Sequence, residues 1–137
     1  NGRGERSGME KLMFTILGKP ITKKNSQRIV VCKNRPMILP SKAYLKYEKD
    51  CKKYMPDTKQ IDYPINVKAV YYMPTRHRVD LTNLHEALHD ILVKYNVIAD
   101  DNCKIIVSTD GSRVLYDREN PRTEVTITKA GGVVENH

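Results

Sequence analysis

The stretch from Arg76 to Asp101, RHRVDLTNLHEALHDILVKYNVIADD, gathers the side chains best suited to chemistry. Arg76 and Arg78 lead to Asp80, a helical segment carries Asn83, Glu86 and Asp90, and Asp100-Asp101 closes the run. Carboxylates grouped in this way repel one another unless a proton or a cation intervenes. Their hard oxygen donors suit Mg²⁺, which takes one or two carboxylates together with water and substrate phosphate. An ion so held activates water and stabilises charge on a cleaved phosphodiester. The pattern therefore points to metal-assisted chemistry on a nucleic acid backbone. The plainer reading makes Asp80 a helix cap and Asp100-Asp101 a turn. Spacing alone leaves both open.

The same helix carries a second constellation, His85-Glu86-Ala87-Leu88-His89, a literal H-E-x-x-H. On a helix such a motif places two imidazoles on one zinc ion with the glutamate as general base, the arrangement of a metalloprotease. A catalytic zinc needs a third protein ligand, and the only histidine downstream is His137, in the C-terminal tail. Asp110 or Glu119 could substitute, but no pattern marks either. The plain reading of His85 and His89 is a partly exposed flank of the helix.

Stepping along the chain gives the elements that position these groups. MFTILG (13–18) reads as a first strand ending at Gly18-Lys19-Pro20. A polar basic loop (20–28) follows, then a hairpin of Ile29 to Cys32 and Met37 to Leu39 around the turn Lys33-Asn34-Arg35-Pro36. A helix over 41–55, with Ser41 as N-cap and Pro56 as stop, sets Tyr44, Tyr47, Cys51 and Tyr54-Met55 near one stripe. Its lysines read either as ordinary surface or as a basic face against DNA. INVKAVYYMP (65–74) is the strongest strand. The next helix runs from near Thr82 to Asn96, with Leu84, Ala87, Leu88, Ile91 and Leu92 at core spacing. On a helical wheel, Asn83, Glu86 and Asp90 lie to one side of that stripe and His85 and His89 to the other. Segments 104–111 and 123–130 read as two further strands. No internal repeat or low-complexity segment is visible.

A chain of 137 residues fits one domain and buries a core without disulfides. The hydrophobic fraction of 39% and charged fraction of 29% are those of a globular protein, and no apolar run is long enough to span a membrane. No signal peptide is visible. Residues 1–8 read as an expression remnant or disordered leader ahead of Met9, and residues 131–137 as a frayed tail around a domain over 9–130. Cys32, Cys51 and Cys103 match no zinc or disulfide spacing and read as free thiols in a reducing cytoplasm. Net charge is +8, but it is divided: residues 1–79 hold 18 Lys+Arg against 6 Asp+Glu, and residues 80–137 hold 6 against 10. A basic half beside an acidic pocket suits a protein that grips a polyanion. Lysines that merely keep the surface soluble would look similar.

Residues 13–128 resemble the RusA family of Holliday-junction resolvases, small dimeric phage and bacterial endonucleases. The hallmark is Asp-x-Asp-Asn, a lysine three residues later, an aspartate inside the helix and a closing Asp-Asp. Here it reads Asp80-Leu81-Thr82-Asn83, Glu86, Asp90 and Asp100-Asp101, and Gly18-Lys19-Pro20 with Lys23 is similar to the family's N-terminal pattern. Two positions depart: Thr82 stands where the family has a second metal-binding aspartate, and Glu86 where it has a lysine needed for cutting. The resemblance implies an α+β domain, a mixed sheet with two principal helices, working as a homodimer on branched DNA. It implies Mg²⁺ or Mn²⁺ as cofactor, with Asp80 and Asp101 as ligands and Asp100 supporting or sharing the ion in catalysis; with the two departures, the set rearranges to include the carboxylate of Glu86, one turn on. Thr82, Asn83 and Asp90 support them, and Lys23, Lys24, Arg28, Arg76 and Arg78 hold phosphates. A DNA-binding module with a degraded site, and more distantly a zinc protease, are the alternatives.

Overall fold

The computed structural model describes residues 11–23 and 27–130, with the side chains of Gln27, Arg28, Val30 and Cys32 left undescribed. Among the described residues, seven strands and two helices follow one another as β1 (Lys11–Leu17), β2 (Gln27–Cys32), β3 (Arg35–Pro40), α1 (Lys42–Cys51), β4 (Ile65–Met73), α2 (Leu81–Lys94), β5 (Ile106–Ser108), β6 (Arg113–Tyr116) and β7 (Arg122–Lys129). A 3₁₀ turn at Lys52–Tyr54 extends α1. This is the α+β class, a mixed sheet with two principal helices, expected from the sequence and the family resemblance. No described helix is long and apolar enough to cross a membrane.

The sheet is built on β4. Antiparallel β7 lies on one side of it and antiparallel β1 lies beyond β7, while β5 and β6 both pair in parallel with β4 on its other side. Alternation along β4 buries Ile65, Val67, Ala69, Tyr71 and Met73, and along β7 buries Thr123, Val125 and Ile127. The α2 stripe of Leu84, Leu88, Ile91 and Leu92 joins those residues, Ile16 and Cys51 in one core. Both helices therefore cover the same face of the sheet. Met13 and Leu17 remain exposed on the other. Truncating a fully buried residue such as Ile91 to alanine costs about 2–5 kcal/mol.

Helix ends follow their sequence signals. The Ser41 hydroxyl accepts from the Tyr44 N–H at 3.0 Å. Asn96 adopts a left-handed conformation (φ 61°) just after α2 and reverses the chain. The returning segment pairs with Ile61, whose N–H donates to the Val97 carbonyl at 2.9 Å and whose carbonyl accepts from Ala99 N–H at 2.8 Å.

Two local expectations need correction. The hairpin turn is Lys33-Asn34 alone, both at positive φ (51° and 65°), so Arg35 and Pro36 belong to β3. Segment 104–111 is not one strand: its start is a turn, only 106–108 pairs, and a further strand lies at 113–116. Asn66 explains the interruption. Its side-chain oxygen accepts from the Asp110 N–H at 2.8 Å, its amide donates to the Asp110 carbonyl at 3.2 Å, and the loop leaves β4 there. Gly111, at φ 89°, packs against the Lys68 stem where a side chain would crowd. β6 then rejoins β4 opposite Val70–Met73.

Candidate active site

Asp80 occupies the N-cap position of α2 with extended backbone (φ −90°, ψ 128°). Its carbonyl accepts the first helical bonds, from Asn83 and Leu84 N–H at 3.1 and 3.2 Å. Its carboxylate accepts from no helix N–H, unlike the usual aspartate cap. That carboxylate is exposed, with the Asn83 side-chain amide 3.4 Å away. Thr82 is exposed beside it.

At the other end of the cluster the chain reversal brings Asp101 towards Asp90. The Asp100 carboxylate is committed to its own turn, accepting from Asp101 N–H at 2.7 Å and from the Asn102 amide at 3.1 Å. Asp101 is left as the electrostatically stressed member. Its pKa is raised first by partial burial and next by the Asp90 charge. Glu86, one turn before Asp90, is exposed.

Lys23 crosses to this cluster from the loop after β1. Its ammonium donates to Asp90 at 2.9 Å, with both side chains about one-third exposed. Its pKa is raised chiefly by that hydrogen bond, with the charges of Asp90, Glu86 and Glu48 adding to it. The Tyr44 ring lies 6.0 Å below the same ammonium. α1 thus helps to fix the cation, and Tyr95 ties α1 to the end of α2 by donating to the Glu48 carbonyl at 2.9 Å.

A basic cleft lies beside the start of α2, lined by Lys19, Thr22, Met73, His77, Arg78 and Val79. Arg76 lies over the Tyr116 ring at 4.2 Å, which holds its guanidinium near the same loop. Lys24 lies outside the described residues, as do residues 1–8 and 131–137, and Arg28 is described in its backbone only. Lys19 and His77 join Arg78 in lining this cleft, although neither stands out among the sequence's candidate basic residues. The signal for Lys19 was already visible in Gly18-Lys19-Pro20.

The opposite flank of α2 has a different chemistry. The His85 and His89 rings stack in parallel, 6° apart with centroids separated by 5.5 Å. The Tyr71 hydroxyl and His85 Nδ1 share a hydrogen bond at 2.8 Å. Both Nε2 atoms are buried and make no hydrogen bond. Burial lowers the pKa of His85, and burial followed by the neighbouring His85 lowers that of His89 to about 4. The pair flanks the stripe partly exposed, as expected, with both Nε2 atoms buried and burial favouring the neutral rings.

Divalent-metal chemistry can be weighed against these donors. The carboxylates are hard, accessible at Asp80, Glu86 and Asp101, and carry repulsion at Asp101 that a cation would relieve. Among the described residues, no group of three His, Cys, Asp or Glu is drawn together to hold an ion. Helical rise accounts for part of this spread, because Asp80 and Asp90 are about 15 Å apart along the axis. A two-carboxylate site completed by water and phosphate remains within the chemistry of Mg²⁺.

The α+β domain thus carries a basic cleft beside the start of α2 and exposed carboxylates at Asp80 and Glu86 of the same segment. Comparison with family models makes this specific. The model described as Endodeoxyribonuclease RusA matches residues 18–128, and the chain belongs to that endodeoxyribonuclease family. A search of curated proteins found no match.

Proposed function

We propose that the protein is a structure-selective endonuclease that resolves four-way DNA junctions by divalent-metal-dependent phosphodiester hydrolysis, acting as a homodimer. The observation that carries the reading is the match to the endodeoxyribonuclease family over residues 18–128, which spans Asp80, Glu86, Asp90 and Asp101. Asp101 would be the central ligand for Mg²⁺ or Mn²⁺, with one carboxylate of α2, Asp80 or Glu86, as the second, and water and substrate phosphate in the remaining positions. When bound, the ion supplies Lewis-acid activation of water and of the scissile phosphate.

The protein's own residues do the remaining work. Asp100 pins the turn that presents Asp101. Lys23 balances Asp90, so the cluster's net charge is lowered before DNA enters. Arg76, Arg78, Lys23 and, by sequence, Lys24 and Arg28 hold phosphates and thereby set the position of the backbone without reading bases. Thr82 offers a hydroxyl and Asn83 an amide beside Asp80. Glu86 stands in place of the family's lysine, and Lys23 brings a cation into the same neighbourhood from another part of the chain.

The test is incubation of an end-labelled four-way junction and a linear duplex of the same sequence with Mg²⁺, with and without EDTA. Paired nicks in the junction alone, abolished by EDTA, are expected. Tight junction binding without nicks in Mg²⁺ or Mn²⁺ would overturn the catalytic reading and make the protein a branched-DNA-binding module with a degraded site.

A further inference from the structure

The β2–β3 hairpin stands apart from the main sheet as its own two-stranded unit. Its register sets Ile29 opposite Ile38 and Val31 opposite Pro36. Alternation puts these four side chains on one face of the hairpin. The face is open: Ile29 is 72% exposed, Ile38 65% and Val31 74%. Lys33 lies in the turn, and Arg35, by the same alternation, starts β3 on the opposite face with Met37, so the two cations flank the apolar face at the hairpin tip.

A two-stranded hairpin gains little stability alone, and contiguous exposed apolar surface on a small domain marks a binding surface. Charge selects the partner. Residues 18–42 carry seven Lys+Arg and no Asp or Glu. A self-complementary contact between two copies of this arm would set like charges against one another. A polyanion with accessible apolar surface matches both properties.

Resting on the junction-resolving reading, we propose that this hairpin recognises the branch point. The Ile29–Ile38 and Val31–Pro36 face packs on the base-pair faces left unstacked where strands exchange, and Lys33 and Arg35 hold the flanking phosphates. Aliphatic side chains act in this way as wedges against unstacked base steps elsewhere in DNA recognition. A continuous duplex offers no unstacked faces, so the apolar contact discriminates branch from duplex. The cations bind both.

The test uses the full chain in EDTA and measures binding to a four-way junction and to linear duplex at fixed salt. An Ile29→Ser/Ile38→Ser variant should lose about tenfold in junction affinity while its duplex affinity holds. Its melting temperature and solution mass should stay unchanged, because the hairpin face lies outside the core. A Lys33→Ala/Arg35→Ala variant should weaken both DNAs and preserve the ratio. Retained junction preference in the first variant, with preference intact in the natural protein, would overturn the hairpin assignment alone. A lowered solution mass would overturn it in favour of a second copy as the occupant. Absence of any junction preference in the natural protein would overturn the junction-resolving reading beneath it.

Discussion

The two flanks of α2 differ by only a fraction of a turn, yet they hold titratable groups in opposite states. On one side Glu86 and Asp90 face water, with Lys23 and Asp101 brought in from other segments. On the other, His85 and His89 stack with buried Nε2 atoms against the Tyr71 hydroxyl. Burial without a counter-charge favours the neutral form of the two histidines. A motif that reads as one unit along the chain, H-E-x-x-H, is therefore split in space. The glutamate belongs to the acidic flank and the histidines to the packed one.

The largest effect expected of this contrast is catalytic. Asp101→Asn should lower junction cleavage by at least the roughly 10–100-fold that loss of a group supporting a metal site costs. It should not lower the melting temperature, because burial and the Asp90 charge both disfavour the ionised carboxyl in the folded protein. Timed cleavage assays and thermal melts on the same preparation check both halves.

A second effect belongs to the histidine flank. Since the folded pKa of His89 is about 4, below the value of about 6.5 in an unfolded chain, the unfolded state binds more protons between those values. Stability should therefore fall as pH drops through that window, by roughly 2 kcal/mol between pH 7 and 4.5. Urea unfolding at both pH values measures it, and His89→Gln should flatten the difference.

Smaller still, Tyr71→Phe removes the hydroxyl bonded to His85 and should cost about 1 kcal/mol, with cleavage unchanged at a temperature where the variant is folded. The smallest change in stability is expected for Lys23→Met, within about 1 kcal/mol, because its ion pair with Asp90 is partly exposed. Its signature should be catalytic and salt-dependent: slower cleavage and a shallower fall of DNA affinity with added salt.

Much of the scaffold could be read from residue order because its signals are local. Alternation in INVKAVYYM, the stripe of α2 and the Ser41 cap each depend on near neighbours, and each appears as expected. β6 escaped notice because RVLY is short and mostly exposed on the sheet edge, with no buried alternation to mark it. The hairpin turn was drawn too wide because Pro36 suggested a loop, whereas an edge strand tolerates proline. The candidate site was legible as residue types and only partly as geometry. A helical wheel gives direction around the axis but discards rise, so Asp80 and Asp90 seem nearer than they are. The partnership of Lys23 with Asp90 joins residues 67 apart in sequence, and no local pattern announces it. Asp90, read as a supporting group, holds Lys23 in an ion pair and lies close enough to Asp101 for its charge to raise the Asp101 pKa.

The most direct test compares the flanks in one experiment: Mg²⁺-dependent nicking of a labelled four-way junction by the natural protein, by Asp101→Asn and by His85→Gln/His89→Gln. The account predicts that nicking is lost in the first variant and retained in the second at a temperature where both are folded. Loss of nicking in the folded histidine variant, with Asp101→Asn still active, would contradict it.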